Sequence, residues 1–483
     1  MNTIAALATH GSCTDVGTMS FHAFDPTTGD HLYDVAVLTA PQISALLSRV
    51  DTEQREWRRA TIEQRARFIA ALGVSLRAHR EALAEALTQE MGKPIVGARS
   101  EVDKCALLCD VAPALATTAL ADEPISDDGH ISISVRHAPL GCVLAIMPWN
   151  FPYWQALRFA VPALLAGNGV LIKPAGSVPG AARLLDQCLD EARAAVAHTD
   201  TPAAPCYHAL FAHDDIDAII ADDRIVGVTL TGSDRAGRHV ATVAGAQLKK
   251  VVLELGGSDP FLVLPSADIA RAAAVAVSAR TVNSGQSCIA AKRFIVCEAV
   301  YDVFMAAFTA GMRALVVGDP RDERTQVGPI ATASVRDGLA KQVSDSVAHG
   351  AKIVVGGASA TLPGFFYPPT ILTDIPDAAP AARDELFGPV ASVFRVADVD
   401  QAITRANDTP FGLGASVWTS DSAEAERCIA QLDAGMVFIN DMVASDPRYP
   451  FGGVKQSGVG RELGLAGFRE FTNQKTVRIF RAP

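Results

Sequence analysis

One cysteine lies in a segment that would leave its thiol accessible. Cys288 follows the small and polar run TVNSGQS at 281–287 and precedes the apolar and basic run IAAKRF at 289–294. Gly285 allows the backbone to approach a ligand closely. A thiol attacks as its thiolate, so we expect the surroundings to lower the pKa of Cys288. A lone cysteine is more often a buried structural residue, and this segment alone does not decide between the two interpretations.

A glutamate at the end of an apolar segment offers a second reactive group. Glu254 follows VVL at 251–253 and precedes Gly256 and Gly257. A merely solvated glutamate is not expected between a strand-like run and two glycines. Apolar surroundings raise the pKa of a carboxyl group, which suits a general base that works near neutral pH.

Length and composition limit the class of protein. A chain of 483 residues that is 49% hydrophobic and 20% charged predicts two or more globular domains. The net charge of −11 argues against nucleic acid or an anionic membrane as a partner. The chain contains no apolar run of about eighteen residues, so we expect no membrane-spanning helix.

The cysteines and the N-terminus indicate the compartment. The nine cysteines are scattered and do not form a disulfide framework, and residues 1–8 lack the basic start of a signal peptide, so we expect a cytoplasmic protein. Cys105 and Cys109 share one helical face and are interpreted as core residues. Without a second pair to match them, we expect no metal site.

The middle of the chain alternates strands and helices. Residues 52–91 have a helical pattern, and residues 131–135 form a half-exposed strand. The alternation then predicts a doubly wound parallel sheet, which binds ligands at the carboxyl ends of its strands. Strands are predicted at 143–147, 170–172, 209–212, 226–230 and 251–255. Conspicuous polar residues lie at the carboxyl ends of four of them, namely Asn150, Lys173, Ser233 and Glu254.

A second α/β domain is expected after this sheet. Apolar runs at 353–355, 390–394 and 436–439 are separated by helical stretches and predict further strands. The chain ends with an alternating strand at 472–480, which could pair with the strand at 131–135. The usual Gly-x-Gly-x-x-Gly dinucleotide motif is missing.

Seven segments, taken together, resemble the aldehyde dehydrogenase superfamily. They occur in the order and with the spacing of that family. Each alone is a weak signal, but seven in order leave little room for chance. The segments are MPWNFP at 147–152, KPA at 173–175, TGS at 231–233, ELGG at 254–257, GQSC at 285–288, ELFGP at 385–389 and PFGGVKQSG at 450–458.

The resemblance implies an α/β fold with three parts. A Rossmann-like cofactor domain would comprise residues 1–120 and 137–253, and a second α/β catalytic domain residues 254–466. Residues 121–136 and 467–483 would form a small β flap for oligomerisation, as a homodimer or homotetramer. This family binds its dinucleotide without the usual glycine motif, which accounts for its absence here.

The resemblance also assigns the catalytic roles. Cys288 would attack an aldehyde to give a thiohemiacetal, and hydride transfer to the nicotinamide would leave a thioester. The side-chain amide of Asn150 and the backbone N–H of Cys288 would stabilise the oxyanion. Glu254 would then activate the water that hydrolyses the thioester.

Further positions match the cofactor contacts of the family. Lys173 would hold the adenosine ribose, Ser233 the pyrophosphate and Glu385 the nicotinamide ribose. The other matched positions are Met147, Pro148, Trp149, Gly176, Ser177, Gly232, Leu255, Gly256 and Phe387.

Two departures from the family pattern concern the adenosine end. NAD-preferring members often carry glutamate where this chain has Gly176 followed by Ser177, so the cofactor could be NAD or NADP. The Gly/Pro-rich loop of many members is also absent, and residues 208–223 take its place.

The substrate positions are most like those of the succinate-semialdehyde dehydrogenases. In that group, residues matching Arg158 and Ser445 hold the substrate carboxylate, and Trp154 lies beside them. A second arginine of some members is Val282 here, so this clamp is incomplete. Arg158 could instead be a helix-surface arginine with an ion-pair partner.

Besides an aldehyde dehydrogenase for another substrate, two further functions are alternatives. A CoA-acylating relative must keep water away from the thioester, so the retained Glu254 argues against it. A catalytically silent structural protein with this fold is the other alternative, and the joint presence of Cys288, Glu254 and Asn150 argues against that.

Overall fold

A computed structural model describes residues 19–357 and 362–481. The first eight residues, on which the expectation about a signal peptide rests, lie outside this part. The described chain begins with an antiparallel hairpin and continues with four helices. These elements are β1 (Ser20–Phe24), β2 (His31–Ala36), α1 (Ala40–Trp57), α2 (Ile62–Ala78), α3 (Arg80–Met91) and α4 (Ile95–Ala119).

Strands and helices then alternate up to Glu254. Ser233 begins one of these helices by accepting a hydrogen bond from the backbone N–H of Ala236. The elements are β3 (Glu123–Asp127), β4 (Ile131–Pro139), β5 (Cys142–Ile146), α5 (Pro152–Leu165), β6 (Gly169–Lys173), α6 (Pro179–Val196), β7 (Cys206–His208), α7 (Ile216–Ala221), β8 (Ile225–Thr231), α8 (Asp234–Ala246) and β9 (Lys250–Glu254).

The remaining chain forms a second alternating set. No helix in the described ranges is long and apolar enough to cross a membrane. The elements are β10 (Pro260–Val263), α9 (Ile269–Thr281), β11 (Arg293–Cys297), α10 (Glu298–Ala314), α11 (Ala333–Ala348), β12 (Lys352–Val355), β13 (Thr370–Thr373), α12 (Pro380–Arg383), β14 (Val390–Val396), α13 (Val399–Asn407), β15 (Gly414–Trp418), α14 (Ser422–Gln431), β16 (Met436–Ile439), β17 (Gly458–Val459), α15 (Gly464–Arg469) and β18 (Thr472–Phe480).

The first large sheet has the strand order β17-β9-β8-β5-β6-β7. Strands β9, β8, β5, β6 and β7 are parallel, so their carboxyl ends meet at one edge of the sheet. Glu254 aligns with Thr231 on one side and, across the antiparallel strand β17, with Gly458 on the other. The predicted doubly wound parallel sheet is therefore confirmed, with one antiparallel edge strand that comes from the end of the chain.

The second large sheet has the order β12-β13-β14-β11-β10-β15-β16. Only β12 is antiparallel to its neighbour. Apolar side chains pack on both faces of this sheet, with Leu262 and Ile295 on one side and Phe261 and Phe294 on the other. The expected second α/β unit is confirmed.

A three-stranded sheet of β18, β4 and β3 stands apart from both. The alternating strand at the end of the chain pairs with β4 over nine residues, which confirms the expected pairing. Three apolar residues of this sheet are exposed to solvent, namely Ile125 of β3 and Ile479 and Phe480 of β18. The division into cofactor domain, catalytic domain and oligomerisation flap stays a prediction.

Two local predictions differ from the structure. The strand expected at 209–212 lies earlier, at β7, because the carbonyl of Leu210 instead accepts a hydrogen bond from Leu38 before α1. Helix α1 begins at Ala40, within a region that the sequence analysis left without a pattern. Cys105 and Cys109 are buried on α4 as expected.

Candidate active site

The segment before Cys288 has an unusual and firmly held backbone. Asn283, Ser284 and Gly285 all have left-handed φ angles, of 53°, 56° and 79°. Left-handed conformations of non-glycine residues persist only where the surrounding structure fixes them. Here the hydroxyl of Ser284 accepts a hydrogen bond from the N–H of Gly328 (2.9 Å), and the side-chain carbonyl of Gln286 accepts one from the N–H of Ala331 (2.9 Å).

Gly285 permits a close contact with the ELFGP segment. A β-carbon at this position would lie 2.3 Å from the carbonyl carbon of Gly388, so no larger residue fits without movement. Arg280 also donates a hydrogen bond to the carbonyl of Gly285 (2.8 Å). Two motifs that are about a hundred residues apart in sequence therefore fix one loop.

Cys288 lines a cavity of about 580 Å³ that lies between α4, α5, the end of α9 and the loops that connect these and later elements. Cys288 is partly exposed as a residue, whereas the other cysteines that the structure describes are buried. Trp154, Arg158 and Ser445, the residues predicted to bind substrate, line the same cavity. The structure thus brings the predicted nucleophile and the predicted substrate residues together.

The pKa of Cys288 is shifted in the direction opposite to the expected one. Burial raises the pKa of the thiol to about 12, and the positive charges of Arg158 and Lys292 only partly oppose this rise. The thiol is therefore protonated at neutral pH in this state. Attack on an aldehyde requires that the proton be removed as the reaction begins.

Glu254 lies at the end of β9 and is 1% exposed. Neither carboxyl oxygen has a hydrogen-bond partner within the described residues. Burial, and then the charge of Glu462, raises the pKa of Glu254 well above its usual range, against the opposing charge of Arg158. The raised pKa expected from the sequence is confirmed. The backbone of Gly452 packs against this carboxyl group, since a β-carbon built on Gly452 would lie 2.7 Å from its oxygen.

Asn150 is buried in the loop between β5 and α5. Its side-chain nitrogen donates to the carbonyl of Gln286 (3.1 Å), two residues before Cys288. An amide nitrogen carries two N–H donors, so one remains for an oxyanion. The carbonyl of Asn150 accepts hydrogen bonds from Asn283 (2.8 Å) and from the ammonium group of Lys93 (2.8 Å).

A buried ion pair fixes the loop that carries Asn150. Lys93 and Glu101 form a salt bridge in which each side chain is 1% exposed. Glu101 also accepts the backbone N–H groups of Tyr153 (3.0 Å) and Trp154 (3.1 Å) at the start of α5. A carboxylate at a helix N-terminus satisfies free N–H groups and is stabilised by the helix dipole.

The predicted adenosine end surrounds Lys173 at the end of β6. Its ammonium group lies 5.6 Å from the ring centres of both Phe21 and Phe211, and burial lowers its pKa to about 8. Gly176 and Ser177 follow in the loop before α6. A β-carbon on Gly176 would lie 2.1 Å from the ring of Phe21, so that ring occupies the space of any larger residue.

The predicted pyrophosphate end lies at the next strand of the sheet. Gly232 and Ser233 follow β8, and Ser233 is exposed at the N-terminus of α8. The positive end of that helix dipole favours a phosphate. Leu255 is buried against Gly237 of α8, which holds this helix against the end of β9.

The predicted nicotinamide end joins both large sheets. Glu385 accepts a hydrogen bond from the N–H of Gly257 (3.1 Å) and forms an ion pair with Lys292 (3.1 Å). A β-carbon on Gly256 would lie 2.5 Å from the carboxyl of Glu385.

Phe387 packs edge to face against Trp149, with 5.8 Å between the ring centres. Met147 and Pro148 precede Trp149 in the same loop, and the N–H of Met147 donates to the carbonyl of Lys173 (2.9 Å).

Arg158 has a different environment from that of a free substrate ligand. It is 2% exposed and forms an ion pair with Glu462, which is 3% exposed. It also donates to the hydroxyl of Thr231 (3.3 Å) and lies 4.5 Å from the ring centre of Phe451. The alternative interpretation of Arg158 was a helix-surface arginine with an ion-pair partner. The partner is present, but the pair is buried and not on the surface.

Sequence reasoning missed three charged residues that line the cavity and a fourth, Glu462, that pairs with Arg158. Lys93 and Glu101 lie eight residues apart, and Lys104 follows Glu101 by three, so all three share one face of α4 and its approach. This helical spacing could have identified them. Glu462 had no local signal, since it belongs to a loop near the end of the chain.

One exposed group within the described ranges has metal-ligand side chains. His22 (2.6 Å) and His31 (2.5 Å) both contact the carboxyl of Asp34 on the N-terminal hairpin. All three are exposed, and their mutual hydrogen bonds account for the arrangement. The absence of a metal site stays a prediction.

Similar proteins place this geometry in a family. The model of the aldehyde dehydrogenase family matches residues 14–477. A Mycobacterium tuberculosis protein named succinate-semialdehyde dehydrogenase (NADP+) 1 is 46% identical over 464 residues, which are 95% of this chain and 100% of the relative.

Solved structures agree with this match. The succinic semialdehyde dehydrogenase of Streptococcus pyogenes, in complex with NADP+, has a TM-score of 0.91 and 34% identity, over 95% of this chain and 100% of that one. The succinate-semialdehyde dehydrogenase of Burkholderia pseudomallei has a TM-score of 0.91 and 31% identity, over 96% and 95% of the two chains. Since the family model matches nearly the whole length, the chain belongs to the aldehyde dehydrogenase family.

Proposed function

We propose that this protein oxidises succinate semialdehyde to succinate with NADP as the hydride acceptor. The observation that carries the proposal is one cavity of about 580 Å³ that Cys288 shares with Trp154 and Ser445. Relatives with 46% identity that are named as NADP-dependent succinate-semialdehyde dehydrogenases support the substrate and the cofactor.

The residues at the carboxyl edge of the sheet fit a dinucleotide phosphate. Lys173 is buried and has no carboxylate partner within the described residues, which suits a sugar hydroxyl or a phosphate. Gly176 and Ser177 bring no negative charge that would repel a 2′-phosphate. The exposed N-terminus of α8 at Ser233 suits the pyrophosphate. When bound, the nicotinamide supplies the hydride acceptor.

The first half of the reaction uses the nucleophile loop. The Cys288 sulfur adds to the aldehyde carbon as its proton passes to solvent water in the cavity, and the carbonyl oxygen becomes an oxyanion. The free side-chain N–H of Asn150 and the backbone N–H of Cys288 stabilise that charge. Loss of hydride from the resulting thiohemiacetal leaves a thioester on Cys288.

The second half requires a base. Glu254, once ionised, accepts a proton from water that attacks the thioester carbon, and the bond to the Cys288 sulfur breaks to release the acid. Burial raises the pKa of Glu254 well above its usual range, so its carboxylate accepts a proton more readily than a solvated glutamate does. The CoA-acylating and the silent alternatives are less favoured, because the names of the relatives support neither. We also propose that the protein acts in the cytoplasm and that it assembles as a homodimer or homotetramer.

The direct test replaces the nucleophile. We expect Cys288→Ala to abolish reduction of NADP by succinate semialdehyde, because no other group can form the thioester. Cofactor binding, measured by fluorescence titration, should persist, since the thiol does not hold the dinucleotide. Appreciable turnover by this variant would rule out the proposed mechanism.

A further inference from the structure

Three polar groups converge on one wall of the substrate cavity. The ammonium group of Lys104 donates to the hydroxyl of Ser445 (2.7 Å), and the indole N–H of Trp154 donates to the same oxygen (3.1 Å). The ammonium group also lies 4.2 Å from the ring centre of Trp154. The hydroxyl hydrogen of Ser445 and two N–H donors of Lys104 remain for a further acceptor.

The cations that line this cavity differ in whether their charge is already compensated. Lys93 is paired with Glu101, and Arg158 is paired with Glu462. Lys104 also lines the cavity, and no carboxylate within the described residues lies within ion-pair distance of it. Glu323, an acidic residue at the rim, is paired with Arg99.

The position of Lys104 is unfavourable for a cation without a partner. Burial, and then repulsion by Arg158, lowers its pKa to about 8. An ordinary surface lysine avoids such a cost by extending into water. An anion bound beside Lys104 would remove the cost, because an opposite charge stabilises the ammonium form.

We infer that Lys104 is the cation that binds the distal carboxylate of the semialdehyde, with Ser445 and Trp154 as neighbouring donors. The inference rests on the proposed function and assigns the charge of the substrate site to Lys104 on α4. Arg158 then has a positioning role, since its guanidinium group is committed to Glu462 and Thr231. The site would favour short aldehydes that carry a terminal anion.

The test compares two aldehydes of equal length, succinate semialdehyde and butyraldehyde. Hydrogen bonds to charged groups of this kind correspond to about a 10- to 150-fold effect on binding. We therefore expect Lys104→Met to lower kcat/KM by about that factor for succinate semialdehyde and to leave butyraldehyde nearly unchanged. Lys104→Arg should restore part of the preference, because it returns the charge.

The controls separate this inference from the proposed function. Lys341→Met, on the exposed face of α11, should leave kcat/KM unchanged for both aldehydes. Succinate, used as a competitive inhibitor, should also bind Lys104→Met more weakly. If the unaltered enzyme shows no preference for succinate semialdehyde, the proposed function fails. The other outcome concerns Lys104 alone, and the melting temperature of Lys104→Met first checks that the variant is folded. If the unaltered enzyme prefers succinate semialdehyde and Lys104→Met either keeps this preference or loses kcat/KM equally for both aldehydes, only the role of Lys104 fails.

Discussion

At the scale of single residues, the two reactive groups share one electrostatic property. Burial raises the pKa of both Cys288 and Glu254, so burial favours the protonated form of each group. Arg158 opposes the shift at each of them, because a nearby cation favours thiolate and carboxylate. One buried guanidinium group thus acts on both halves of the proposed reaction.

Glu254→Gln should separate the two halves. Hydride transfer needs no base at this position, so we expect a burst of reduced cofactor followed by little turnover. An acyl adduct on Cys288 should then be visible by intact-protein mass spectrometry. Because burial raises the pKa of Glu254, its base form becomes more abundant as pH rises, and turnover of the unaltered enzyme should increase with pH. Glu85→Gln, on the exposed surface of α3, is the matched control and should behave normally.

Arg158→Leu should harm the enzyme in a manner independent of substrate. The change leaves Glu462 buried without its partner, and breaking one side of such a pair costs about 3–5 kcal/mol of stability. We expect a lower melting temperature and similar losses of kcat/KM for succinate semialdehyde and butyraldehyde. A selective loss for the charged substrate would instead show that Arg158 binds the carboxylate directly.

At the scale of elements, a residue of the N-terminal hairpin restricts the size of the side chains that fit in the loop between β6 and α6. Phe21 of β1 occupies the space where a side chain on Gly176 would begin. A glutamate placed there must displace this ring before it can contact the adenosine ribose. The hairpin therefore takes part in shaping the proposed adenosine site.

Gly176→Glu alone should weaken both cofactors and lower the melting temperature, because of the contact with Phe21. Phe21→Ala combined with Gly176→Glu should shift the preference from NADP towards NAD, since the carboxylate repels a 2′-phosphate and can accept a hydrogen bond from a 2′-hydroxyl. Steady-state kinetics with both cofactors measure the shift, and Phe21→Ala alone is the control. An unchanged cofactor ratio in the double variant would place the adenosine ribose elsewhere.

At the scale of the whole molecule, the three-stranded sheet presents apolar side chains to solvent. Phe480 is 65% exposed and Ile125 is 63% exposed, although both lie on ordered strands. Exposed apolar groups on a sheet often mark an interface between subunits. This supports the proposed oligomerisation flap.

Phe480→Asp should therefore reduce the oligomer size, because a charge would be buried at the subunit contact. Light scattering coupled to size-exclusion chromatography measures the mass directly. Leu248→Asp replaces another exposed apolar residue, outside the flap, and should leave the mass unchanged. An unchanged mass for Phe480→Asp would place the interface on another surface.

Local patterns predicted much of this fold and part of the site. The parallel sheet followed from apolar runs that end in polar residues, and the pairing of β4 with β18 followed from their alternation. The sequence of helix α1 also contains a helical pattern, since the apolar residues Ile43, Leu47, Val50 and Trp57 recur at helical spacing. The pairing of Arg158 with Glu462 was not readable, because some three hundred residues separate them and neither has a distinctive neighbour.

The position of β17 has a consequence for how the chain folds during synthesis. Strand β9 is bounded on one side by β8, and within the described part of the chain its other edge pairs with residues 458–459. The cofactor sheet therefore remains open beside Glu254 until nearly the whole chain has left the ribosome. Contacts between such distant segments slow folding, and an open strand edge can pair with other chains in the meantime. A chain cut short before residue 458 would expose that edge permanently, so truncated products of this protein are candidates for aggregation and proteolytic removal.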